Sequence, residues 1–209
     1  MIVQEIKKTS AERFTIIFDD ETELQSTLKV VTDEYIFTGK QLSEEEYVHL
    51  CNESKYSLCE AHALKLLFYQ PLSKKMLIDK LVKKGEEAFN AERAAQWLED
   101  MGMIDDASYS EMVVRHYSAK GYGERRVQNE LYRHGVPREL WDDALMNSMP
   151  DQSDKIDSFI RNRLSDPSDR KQIKKISDSL IRKGFSWSEI KSALERYRDS
   201  YEDEEINGE

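Results

Sequence analysis

The stretch GYGERRVQNELYRHG, Gly121 to Gly135, sets two glycines and paired arginines ahead of an amphipathic run. Glycines at a helix start let backbone N–H groups close on an anion, and arginines add charge, so these residue types suit phosphate binding. A phosphate-binding fingerprint follows a strand, however, and the preceding segment YSEMVVRHYSA has helical spacing. Other chemistry-bearing residues are sparse. His49-x-Cys51 and Cys59-x2-His62 bring metal-ligand types, but His49 and Cys51 stand two apart in a helical run and face different ways. Neither cysteine has a context that lowers a thiol pKa. Asp105-Asp106 precedes a helical run and reads as a cap rather than an acid–base pair. These residues predict no enzyme, no cofactor and no metal.

The elements that carry them follow from composition. The 209 residues are 34% charged and 39% hydrophobic, with only 8 Gly and 4 Pro, which favours a helix-rich, elongated, mainly α architecture over a thick core. No stretch approaches the roughly 20 apolar residues of a membrane span. The start, MIVQEIKKTSAERF, lacks the apolar core of a signal peptide, and two cysteines make no disulfide framework. A cytoplasmic protein without membrane association is expected. The net charge of −10 is uneven: residues 1–58 hold 12 acids against 6 bases, and residues 151–200 hold 9 acids against 12 bases. The final stretch YEDEEINGE holds 5 acids and no base. An anionic partner is therefore open to the helical body alone.

The first 56 residues read as a β-hairpin or small sheet plus a helix. RFTIIF (13–18) and LQSTLKVV (24–31) alternate around an acidic turn, and Ser43 with Glu46 has capping-box spacing. Beyond them the chain repeats. The glycines of KKG (83–85), RHG (133–135) and RKG (182–184) lie 50 and then 49 residues apart. Four and eight residues before them stand Leu81 and Leu77, Leu131 and Val127, and Leu180 and Ile176, the inward stripe of one helix per repeat. Glycine after two basic residues closes such a helix, the cations facing its negative end. One helical run before this anchor and another after it make each repeat a three-helix cluster. The repeats span 57–105, 106–150 and 151–200, with an acidic disordered tail at 201–209. Arrays of this kind serve mostly as binding surfaces.

Three segments carry a resemblance: ALKLLFYQPLSKKMLIDKLVKKG (63–85), the run 97–145 containing MIDDASYSEMVVR and KGYGERRVQNEL, and RKQIKKISDSLIRKGFSWSEIKSALE (170–195). Over residues 59–196 the chain resembles the RecX family of RecA regulators. The resemblance implies a non-enzymatic modulator, acting in DNA repair, recombination and the SOS response, that binds the RecA–DNA filament and inhibits its recombinase and ATPase activity. Its partners would be the RecA filament and the single-stranded DNA within it, met by a monomer. The alternative is an independent single-stranded nucleic-acid-binding module, which the basic segment 151–200 favours.

The contact residues expected for such a partner are Tyr122, Arg125, Arg126, Lys75, Lys174 and Lys175, placed near the starts of the middle helices. Arg125 and Arg126 are singled out because a cation at a helix start opposes the dipole there and so needs another reason to exist. Tyr122, between two glycines, fits contact and packing equally. Lys83, Lys84, Arg182 and Lys183 are explained by the helix ends they occupy, and Trp97, Trp141 and Trp187 by core packing.

Overall fold

The computed structural model describes residues 1–207, which divide into one compact unit of residues 1–104 and a second beginning at Asp105.

In the first unit, the alternation of RFTIIF forms β2 (Arg13–Phe18), the centre of a three-stranded antiparallel sheet. Its neighbours are β1 (Val3–Lys8) and β3 (Glu23–Thr27). Ile16 and Phe18 are fully buried, with Val3, Val30, Leu42 and Leu50 around them. β1 lies outside the two runs read from the sequence. The second of those runs is cut short as well. The Thr27 hydroxyl accepts a hydrogen bond from the Val30 N–H and caps a helical turn, α1 (Leu28–Asp33), so a local cap overrides the β pattern. Ser43 and Glu46 form the reciprocal box expected of them and open α2 (Glu44–Tyr69). This helix runs unbroken across the 56/57 border drawn from the sequence, because nothing between its caps stops it. Tyr47 and Leu50 pack in the sheet core, while Tyr56, Cys59 and Ala63 pack in the core of the first repeat. Buried hydroxyl pairs, Ser26–Ser54 at 2.8 Å and Thr27–Ser57 at 2.6 Å, bind α2 to the end of β3. Helices α3 (Lys74–Lys83) and α4 (Ala88–Asp100) complete the first repeat, with Leu77, Leu81, Ala94 and Leu98 fully buried.

The second unit holds two repeats. The first of them is α5 (Asp106–Ala119), α6 (Glu124–Arg133), a 3-10 turn at Arg138–Leu140 and α7 (Trp141–Ser148). The next is α8 (Ser153–Arg161), α9 (Arg170–Arg182) and α10 (Trp187–Asn207). The protein is thus mainly helical, with three three-helix repeats after a small sheet. Helix α10 continues through residues 201–207, which the sequence reading assigns to a disordered tail. No Gly or Pro interrupts it, and the Tyr197 hydroxyl anchors it by donating to the Leu164 carbonyl at 2.6 Å. Residues 208–209 of that tail lie outside the described residues.

The middle helices α3, α6 and α9 close alike. Gly85, Gly135 and Gly184 take φ of +98, +66 and +96°. The next N–H then reaches five residues back, Glu86 to Leu81, Val136 to Leu131 and Phe185 to Leu180, satisfying carbonyls the helix end would leave open. Trp97 packs against the first repeat's core, and the Trp141 indole N–H donates to the Val136 carbonyl at 3.0 Å. Trp187 departs from the core expectation: it opens α10 ahead of the buried stripe at Ile190 and Ala193, and stays 56% exposed. Among the described residues no helix is long and apolar enough to cross a membrane.

Candidate interaction surface

Gly123 is the N-cap of α6 and has no side chain with which to satisfy the first amides. The third repeat supplies the acceptors instead. The Gly123 N–H donates to the Lys183 carbonyl at 2.9 Å, and the Arg125 N–H to the Gly184 carbonyl at 3.2 Å. The two backbones touch. A Cβ on Gly123 would lie 2.6 Å from the Gly184 carbonyl, and one on Gly184 would lie 2.4 Å from the Arg126 nitrogen. The amides that a phosphate loop would turn to an anion are therefore engaged by the end of α9.

This joint changes the surroundings of Arg125 and Arg126. The start of α6 faces the carbonyl end of α9, so a cation there meets a negative helix end as well as a positive one. The helix dipole therefore gives these cations no need of a functional role. Arg126 has a structural task of its own: its Nη2 lies 2.8 Å from Glu130, whose side chain is almost fully buried, and Arg133 reaches the same carboxylate at 3.4 Å. The Arg126 guanidinium also sits 5.6 Å from the centre of the Tyr122 ring, and its Nε is buried without a partner.

A polar cluster continues from Glu130. Burial and the Glu130 carboxylate both push the Tyr117 hydroxyl above its ordinary pKa. His134 lies beside Tyr109, hydroxyl to Nδ1 at 2.7 Å, and burial lowers its pKa below 6.5 against the opposing pull of Glu130. Glu130 is not among the residues singled out from the sequence, and His134, read there as one of the two cations before the closing glycine, is held toward the neutral form by burial instead. The spacing held a signal for Glu130, which stands four residues after Arg126 and three before Arg133.

The structure brings Tyr122, Arg125 and Arg126 together at the joint. Tyr122 is half-buried, its carbonyl accepting from Gln152 Nε2 at 2.9 Å, and Arg125 is exposed. Lys174 and Lys175 are exposed on α9 in the same unit. They occupy its second turn, because α9 starts at Arg170 behind the Asp169 cap. Helical rise sets Lys174 about 14 Å along α9 from Lys183. Lys75 lies in the first unit, exposed and 3.4 Å from Asp79.

The remaining chemistry-bearing residues have local tasks. Asp105 caps α5, accepting from the Ala107 and Ser108 amides at 3.0 Å each. Cys59 is buried, and its thiol is pushed up to about 12 by burial and by Glu86 and Glu60. Nδ1 of His62 bonds Glu86, while Nε2 faces the Arg13 guanidinium at 2.5 Å.

Comparison with known proteins identifies the second and third repeats. Residues 105–145 match the family model described as RecX, second three-helix domain, and residues 161–194 match RecX, third three-helix domain. A protein named Regulatory protein RecX from Xanthomonas axonopodis pv. citri is 35% identical over 133 residues, covering 63% of this chain and 82% of the relative. One of the same name from Clostridium tetani is 23% identical over 198 residues, 92% of this chain and 91% of the relative. A crystal structure titled regulatory protein RecX shares the fold, with a TM-score of 0.71 and 22% identity over 91% of this chain and 98% of that one.

Proposed function

The chain belongs to the RecX family, and on that premise we propose that it regulates RecA by binding the RecA–DNA filament and lowering its recombinase and ATPase activity. One observation carries the reading. Lys75, Arg125 and Lys174 each stand ten residues ahead of the glycine that closes their helix, and all three are exposed. A filament presents the same surface many times over, so repeats that each offer an exposed cation suit it better than they suit a compact ligand. Lys175 adds a second exposed cation on α9, while Tyr122 and Arg126 would meet the filament from the joint. The name carried by the relatives supports a regulatory role.

The test is a titration of RecA's single-strand-dependent ATPase and strand exchange with the protein. A fall in both at sub-stoichiometric ratios is expected, and no change up to excess would overturn the reading. Arg125→Glu with Lys174→Glu should weaken binding to filaments at an unchanged melting temperature. Arg126 is kept out of that variant because Glu130 depends on it.

A second reading rests on Arg170, Lys171, Lys174 and Lys175, four exposed bases on one helix. They suit direct binding of single-stranded DNA. Tight binding without RecA, falling steeply with salt, would favour that module over the regulator.

A further inference from the structure

We propose that the turn between α5 and α6 is a clamped joint that fixes the second repeat against the third, with Gly123 and Gly184 as its positioning residues. The proposal rests on the reading of the array as a filament-binding surface, because it assigns how the cations of two repeats are held in register.

Four hydrogen bonds from the third repeat reach this turn and the helix ends that flank it. On its amide side the Gly123 and Arg125 N–H groups are taken by the Lys183 and Gly184 carbonyls at the end of α9. On its carbonyl side Lys155 Nζ, in α8, donates to the Ser118 carbonyl at 2.7 Å. Gln152 Nε2, at the N-cap of the same helix, donates to the Tyr122 carbonyl. The turn is therefore held between the start of one helix and the end of another.

The caps of the three middle helices show what is particular to this place. Helix α3 is capped by its own Ser73 side chain, accepting from Met76 N at 3.2 Å, and α9 by Asp169, accepting from Lys171 and Gln172. Helix α6 has a glycine there and takes its acceptors from another repeat. The glycine is required by approach, not by conformation: its φ of −75° suits any residue. On the other side, Gly184 needs both its positive φ and its missing Cβ. A contact this close, with hydrogen bonds on both sides of the turn, leaves the repeats little freedom to swing. The exposed Arg125 is thereby set at a fixed distance from Lys174 and Lys175 on the helix whose end it meets.

Gly123→Ala separates the joint from ordinary strain, since it adds a Cβ where backbone atoms stand at 2.6 Å without asking for an unusual φ. Gly85→Ala is the control: its φ of +98° makes alanine costly, but nothing lies within 4 Å of the added carbon. Residue-resolved amide exchange should show Gly123→Ala freeing the amides of residues 123 and 125 about tenfold or more, with those of Val114 and Leu180 still protected. The same variant should lose most of its effect on the RecA ATPase, while Gly85→Ala keeps it despite a lowered melting temperature. Should Gly123→Ala fail to fold, Gln152→Ala with Lys155→Ala opens the carbonyl side and is expected to act alike. Unchanged protection at residues 123 and 125 overturns the proposal, as does full regulation by a variant whose joint has opened. A wild-type protein without effect on RecA overturns the regulatory reading instead, and the exchange result then stands alone for the joint.

Discussion

Replacing Arg126 by alanine tests whether this arginine holds up a buried charge. Glu130 is 6% exposed in its side chain and receives Arg126 at 2.8 Å and Arg133 at 3.4 Å. Breaking a fully buried ion pair from one side costs about 3–5 kcal/mol, because the remaining charge stays out of water. Two features reduce that figure here: the Arg126 side chain is 35% exposed, and Arg133 keeps a longer contact. A loss of about 2 kcal/mol follows, which lowers the melting temperature of a unit this size by about 8 °C. Thermal unfolding followed by circular dichroism measures it. Arg125→Ala, an exposed neighbour, should stay within about 0.5 kcal/mol of wild type. Glu130→Gln removes the charge that needs the arginine, so the double variant Arg126→Ala/Glu130→Gln should recover at least half the loss. The coupling between the two sites should be about 1 kcal/mol or more. Melting of Arg126→Ala within about 2 °C of wild type, with no coupling to Glu130, would refute the buried-carboxylate reasoning.

Three other expectations concern separate places. His134 is held neutral by burial, its pKa below 6.5, so the fold loses stability as pH falls from the unfolded value through the folded one. His134→Gln should flatten the melting temperature across that window while leaving it unchanged in slope above pH 7. In the first unit, Ser54→Ala strands the buried Ser26 hydroxyl and should cost about 1–3 kcal/mol in urea unfolding, with Ser26→Ala/Ser54→Ala costing less than the sum of the single variants. Under native conditions a thiol reagent should modify Cys51, which is partly exposed, and spare Cys59 until the chain unfolds.

What was legible in the sequence was local. The glycine that closes each middle helix, the leucines four and eight residues before it, and the Ser43–Glu46 box all act through neighbours within one or two turns, so spacing alone reveals them. β1 escaped because, of its six residues, only Val3 is fully buried, and VQEIKK leaves little apolar alternation to see. α1 escaped because Thr27, which reads as a good strand residue, serves as a cap. The joint escaped for a different reason. Gly123 and Gly184 meet across 61 positions of chain, and the meaning of each depends on the other's backbone. Arg126 shows the cost of that blind spot: a helix-start cation looked unexplained until the end of α9 and the buried Glu130 were both in view.

Helix α2 has a consequence for how the first unit comes apart. One end of this rod is bedded in the sheet core and the other in the first repeat, and the hydroxyl pairs at Ser54 and Ser57 fall near the middle. Neither core can therefore melt without stripping burial from a helix the other still needs. The sheet and the first repeat share one unfolding event, and a protease nick anywhere between Glu53 and Ala61 would release both. An excision that begins the array at residue 57 would leave a repeat missing its own beam.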